Sequence, residues 1–220
     1  MKRPFDLEGP EHGPASGGKP KKLVLLLHGL GADGNDLIGL APHLERLLPE
    51  AVFVSPNAPF PCDMAPYGYQ WFSLQDRDPG AILSGVRAAW PILDAFIDDQ
   101  LARFALTEAD TALLGFSQGT MMSLFTAPRR ARAVAAVVGF SGALVGAELL
   151  AGEIKSRPPV ILVHGDADPV VPVQAAHGAK AALEKAQVPV ELHIRPGLQH
   201  GIDEQGLVLA GRFLHKALKA

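Results

Sequence analysis

The chain has 220 residues, 48% of them hydrophobic and 20% charged, with a formal net charge of −3. That length suits one large α/β domain, and the apolar content excludes a disordered chain. The weak negative charge without a basic stripe excludes an electrostatic nucleic-acid binder, and a lone cysteine, Cys62, excludes an internal disulfide and cysteine-built metal sites.

Residues 1–22 read as a loose leader, rich in Gly, Pro and Lys from 10 onward, with a short edge strand expected over 5–7. The opening MKRPFDLEGPEHG has no apolar h-region, so no signal peptide and a cytoplasmic location are expected. One domain is expected over 23–220. The continuous apolar run 23–27 predicts a central strand that delivers His28-Gly29-Leu30-Gly31. Asn35 or Asp36 is the expected cap of the next helix, whose leucines 37, 40, 44, 47 and 48 recur at helical spacing until Pro49. Residues 52–54 form a strand and lead into a Pro-rich loop over 55–80. That loop holds Phe60, Tyr67, Tyr69, Trp71 and Phe72, and long loops in compact domains tend to be functional.

The clearest helix is 82–104, where Leu83, Val86, Trp90, Leu93, Ile97, Leu101 and Phe104 form one stripe that Pro91 should kink or split. Ala112, Leu113 and Leu114 read as a buried strand, and the segment from Thr120 to Phe125 as a helix. Arg129, Arg130 and Arg132 read as a solvated turn after it. The run 133–147 is too short and too interrupted to span a membrane, so a strand over 134–140 followed by a loop over 142–152 is expected, with no integral membrane association. A strand at 160–163, a helix over 174–186 and a half-exposed strand at 190–194 follow, and a helix over 203–218 closes the chain. Alternating strands and helices of these lengths predict a mostly parallel, doubly wound sheet with helices on both faces. Ligands in such sheets collect at the carboxyl ends of the strands, where the loops after Leu27, Leu114, Val163 and Ile194 fall.

Gly115-Phe116-Ser117-Gln118-Gly119 sits at a strand-to-helix junction and fits G-x-S-x-G, the sharp turn that exposes a nucleophilic serine. Ser117 needs a base, and the base needs an acid, in the chain order serine, carboxylate, histidine. Asp166 and Asp168 compete for the acid, and the turn initiated by Asp168-Pro169 favours Asp168. Of eight histidines, only His200 follows both carboxylates and lies in a loop after the last strand. His28 and His164 lie near the same edge and read as loop-shaping. The backbone amides of Gln118 and Leu30 are the expected donors to an oxyanion. Gly29-Leu30-Gly31-Ala32-Asp33-Gly34 also matches a dinucleotide fingerprint, but the strand at 52–54 ends without the ribose-binding carboxylate that reading requires.

Taken together, LLHGLGADGND, GFSQG, HGDADPVVP and LQHG resemble the phospholipase/carboxylesterase family of α/β-hydrolases, which includes bacterial carboxylesterases and acyl-protein thioesterases. The resemblance implies an α/β-hydrolase fold without a large lid domain. It implies Ser117 as nucleophile, Asp168 as acid, His200 as base and the Leu30 and Gln118 amides as oxyanion hole, with no metal or cofactor. It also implies that Trp71 lines the acyl or leaving-group side, and Phe72 and Val171 join it as substrate-binding candidates. The loops 60–74 and 142–152 are expected to set specificity, with Val170 and Val171 as an apolar wall. The stretch YGYQWFSL is nearer to bacterial members, so protein depalmitoylation does not follow. A serine carboxylesterase acting on small-molecule esters is expected. A lysophospholipase or acyl thioesterase is the alternative, and an inactive scaffold serving as a small-molecule receptor the remote one. An apolar pocket rim would permit a homodimer.

Overall fold

A computed structural model describes residues 7–219. In chain order it contains β1 (Glu11–His12), β2 (Lys22–Leu27), α1 (Gly34–Ile38), α2 (Ala41–Leu44), β3 (Ala51–Val54) and the small strands β4 (Phe60–Pro61) and β5 (Tyr69–Gln70). Then come α3 (Pro79–Phe104), β6 (Thr111–Phe116), α4 (Gln118–Thr126), β7 (Ala136–Phe140), α5 (Leu150–Glu153), β8 (Val160–Gly165), α6 (Gln174–Lys185), β9 (Val190–Arg195) and α7 (Glu204–Leu218). The main sheet has seven strands in the order β1-β3-β2-β6-β7-β8-β9. Every pairing is parallel except that of β1 with β3. Strands β4 and β5 form a separate antiparallel hairpin.

Strand alternation divides the core into two layers. Along β2, Leu23, Leu25 and Leu27 face the layer of Leu93 and Ile97 (α3), Met122 and Phe125 (α4) and Leu183 (α6). Val24 and Leu26 face the opposite layer, with Leu37 (α1), Leu44 (α2) and Leu214 (α7). Each of these side chains is at least 96% removed from solvent, so removing any one large aliphatic would cost roughly 2–5 kcal/mol. The sheet is thereby covered on both faces, and only its strand ends remain for a site.

The local structure departs from the sequence reading in four places. Residues 8–22 are not loose. Ser55 N donates to Pro10 O at 3.0 Å, Asn57 N to Glu8 O at 2.8 Å, and Glu11 pairs with Arg103. The edge strand lies at Glu11–His12; the expected strand over 5–7 falls largely outside the described residues. The cap of α1 is Asp33, whose carboxylate accepts from Asn35 N at 2.7 Å, and a break before Ala41 separates α1 from α2. Helix α3 starts earlier than expected, capped by Asp78, and continues through Pro91 as one element of 26 residues. Its buried stripe, from Val86 to Leu101, packs on both sides of the proline, and that tertiary contact outweighs the lost backbone hydrogen bond. Arg129 and Arg130 are buried: Arg129 pairs with Glu153, and Arg130 with Asp94, Asp98 and Glu108. Paired acids from α3 and its neighbours make that burial tolerable.

Candidate active site

The turn between β6 and α4 places Ser117 at φ 53°, ψ −114°, outside the regions a side-chain-bearing residue occupies without strain. Ser117 N donates to Phe140 O at 2.9 Å, and Met121 N to Ser117 O at 3.1 Å, so the turn is tied to β7 and to its own helix. The flanking glycines are there because nothing else fits. A Cβ on Gly115 would lie 2.3 Å from the Gly119 carbonyl carbon, and one on Gly119 would lie 1.8 Å from Leu27 O. The helix start therefore rests directly on the end of β2 and beside the loop that β2 delivers.

That loop is held by a second set of contacts. The His28 ring is fully buried; Ala58 N donates to its Nε2 at 2.9 Å, and its Nδ1 donates to Gly29 O at 2.7 Å. Both ring nitrogens are thus committed in the neutral form. Burial pulls its pKa below the ordinary 6.5, although the Gly29 bond acts the other way. Gly31 takes φ 78° and its amide donates to Tyr69 O at 2.9 Å, which fixes Leu30 next to the serine turn. Among the described residues, neither Leu30 N nor Gln118 N has an acceptor, and both residues line the cavity that Ser117 lines.

The two competing carboxylates part company at the end of β8. Asp166 is exposed, and its Oδ1 accepts from Gly197 N at 2.7 Å, which ties the loop after β8 to the loop after β9. Asp168 points inward with no side-chain exposure. Its Oδ1 accepts from Val170 N at 2.8 Å and Val171 N at 2.9 Å, and its Oδ2 accepts from His200 Nδ1 at 2.7 Å. Burial pushes this carboxyl up, but the His200 bond and the two amides together hold it below the ordinary 3.8. His200 packs its ring against Phe116 at 4.8 Å between centroids. With Nδ1 bonded to Asp168, Nε2 is the ring nitrogen left without a partner among the described residues. Ser117 and His200 line one cavity without a hydrogen bond between them, a spacing common before substrate tightens such contacts.

The cavity has a volume of about 430 Å³. Leu74, Ile82, Met121, Val170, Val171 and Pro172 form its apolar walls, while Asp36 and Arg77 are its charged lining residues. Of the three residues expected to contact substrate, Val171 is on this cavity wall. Trp71 and Phe72 are not: they are 0% and 2% exposed and lie behind the wall. Trp71 Nε1 donates to His28 O at 3.0 Å, and Gln118 grips this stretch through both ends of its amide, accepting from Trp71 N and donating to Phe72 O. The aromatic pair therefore supports the loop after β2 and the Gln118 side chain from behind. Of the loop 60–74 only Leu74 reaches the cavity, and no residue of 142–152 does. Ile82 and Met121 carry no distinguishing signal in the sequence: Ile82 lies off the stripe that begins at Leu83, and Met121 is one apolar residue among several on the segment after Ser117. Among the described residues no cluster of three or more His, Cys, Asp or Glu side chains is arranged to hold a metal.

A parallel sheet wound on both faces, with a strained serine between strand and helix, defines an α/β-hydrolase. The chain belongs to the phospholipase/carboxylesterase family, whose sequence model matches residues 14–218. It is 30% identical to acyl-protein thioesterase 1 of Kluyveromyces lactis over 214 residues, covering 90% of this chain and 93% of that protein. It is also 30% identical to esterase YpfH of Escherichia coli, covering 86% of this chain and 80% of that one. The crystal structure of esterase PE8 superposes with a TM-score of 0.92 at 44% identity, covering 96% of this chain and 99% of that structure.

Proposed function

We propose that this protein is a serine carboxylesterase that hydrolyses esters of small to medium acyl chain through an acyl-enzyme. The observation that carries the reading is the 2.7 Å bond from His200 Nδ1 to the buried Asp168, on the cavity that Ser117 enters from its strained turn. Ser117 Oγ attacks the ester carbonyl carbon as His200 Nε2 takes its proton, and Asp168 stabilises the imidazolium so formed. The Leu30 and Gln118 amides receive the oxyanion. Collapse expels the alcohol, protonated by His200, and water activated by the same ring releases the acid and regenerates Ser117 Oγ.

Thioester hydrolysis on the same residues is the second reading, supported by the relative named as an acyl-protein thioesterase. Labelling with a fluorophosphonate probe tests the chemistry: wild type is labelled and Ser117→Ala is not. Labelling that survives Ser117→Ala overturns the mechanism. A series of esters and thioesters of rising acyl length decides between the readings, with the cavity of about 430 Å³ expected to favour short and medium acyl chains.

A further inference from the structure

His164 lies at the end of β8, inside the sheet between β7 and β9, and is 1% exposed. Its Nε2 donates to Val171 O at 2.8 Å and stands 3.4 Å from Asp168 Oδ2. Val171 is the residue whose own amide, with that of Val170, fixes Asp168 Oδ1. A closed chain of contacts thus runs from a rigid strand to Val171, from Val171 to the carboxylate, and from the carboxylate to His200. Val170 and Val171 also wall the cavity, so one turn serves both the acid and the substrate.

We infer that His164 is a positioning residue: it anchors the turn at Val170 and Val171, and through that turn it holds the Asp168 carboxylate toward His200. The inference rests on the triad reading above. Asp168 sits on a loop, and without an anchor its carboxylate is free to trade acceptor roles between its two oxygens. The strand supplies the anchor, because a side chain on an interior strand has little freedom of its own. A single Nε2 proton suffices, since it is Val171 O that accepts it while Asp168 takes its donors from the turn and from His200.

The test compares His164→Leu, which keeps the bulk and deletes the donor, with His164→Gln, whose amide restores a donor near the Nε2 position. For His164→Leu, kcat is expected to fall about 10–100-fold with KM within about threefold, as for other groups that orient a reacting ligand. The low-field proton resonance of the His200 Nδ1–H is expected to shift or vanish. His164→Gln is expected to recover kcat to within about fivefold of wild type and to restore that resonance. A folded His164→Leu with wild-type kcat and resonance overturns the inference, as does a His164→Gln as impaired as His164→Leu. If His164→Leu does not fold, His164→Asn, polar but too short to reach Val171 O, takes its place under the same expectations. Failure of the triad reading shows separately, as wild type that neither labels with fluorophosphonate nor cleaves any ester, and the resonance still judges His164 in that case.

Discussion

Ser117 holds torsions that a glycine would adopt freely, and the energy stored there is of order 1–3 kcal/mol. Ser117→Gly should therefore be more stable than Ser117→Ala by about 1 kcal/mol, although both lose the hydroxyl. Urea midpoints of the two variants check this, and equal midpoints would mean the turn is unstrained. Asp166 and Asp168 offer a sharper contrast, because they are two residues apart and chemically identical. Asp168→Asn should lower kcat by about 10³-fold or more by presenting the wrong partner to the His200 ring. Asp166→Asn should leave kcat within about threefold, since the Asp166 side chain bonds the Gly197 amide in an exposed contact between two loops. Steady-state kinetics on one ester substrate separates them, and equal losses would refute the assignment of the acid.

At the scale of elements, the decisive contact is the docking of α4 onto the end of β2. The helix start approaches Leu27 O so closely that only glycine fits at 119. Gly119→Ala is expected to cost about 2–3 kcal/mol and to displace the Gln118 amide from the cavity. Gly178 lies within α6, and a methyl group added there would meet nothing within 4 Å, so Gly178→Ala should instead stabilise by about 0.5–1 kcal/mol. Thermal or urea unfolding of the pair measures both signs. A Gly119→Ala as stable as wild type would show that α4 can shift, and the serine turn with it. Helix α3 teaches the same lesson in reverse: its proline is outweighed by the packing that surrounds it.

For the whole molecule, acid stability depends on groups that fold with shifted affinities for protons. The folded-state pKa of His28 lies below the 6.5 it has when unfolded, so the unfolded chain binds that proton first. Its contribution is complete above pH 6.5 and is lost as pH falls from 6.5 toward the folded value. His28→Gln, which keeps a donor and an acceptor but does not titrate, should flatten the dependence of unfolding free energy on pH between about 5 and 7. Urea titrations across that range measure the slope, and an unchanged slope refutes a neutral, buried His28. Asp168 acts lower. Its folded pKa is below 3.8, so its contribution is present above 3.8 and is lost as pH falls through the folded value.

Sequence by itself determined the alternation of strands and helices along the chain, the strand–turn–helix around Ser117, and the order in which Ser117, Asp168 and His200 follow one another. These are local: a strand, a turn and a helix are written in contiguous residues, and glycine at 115 and 119 marks a close approach whatever it meets. Although Pro169 already favours Asp168 in the sequence, tertiary structure decided that its carboxylate turns inward to Val170, Val171 and His200 while Asp166 stays exposed. It also decided which side chains wall the cavity. Ile82 and Met121 face the site only when α3 and α4 pack together, while Trp71, the most conspicuous aromatic in its own loop, turns under the loop after β2 to support it. Burial and long-range packing are properties of the assembled layers, and no single stretch of residues carries them.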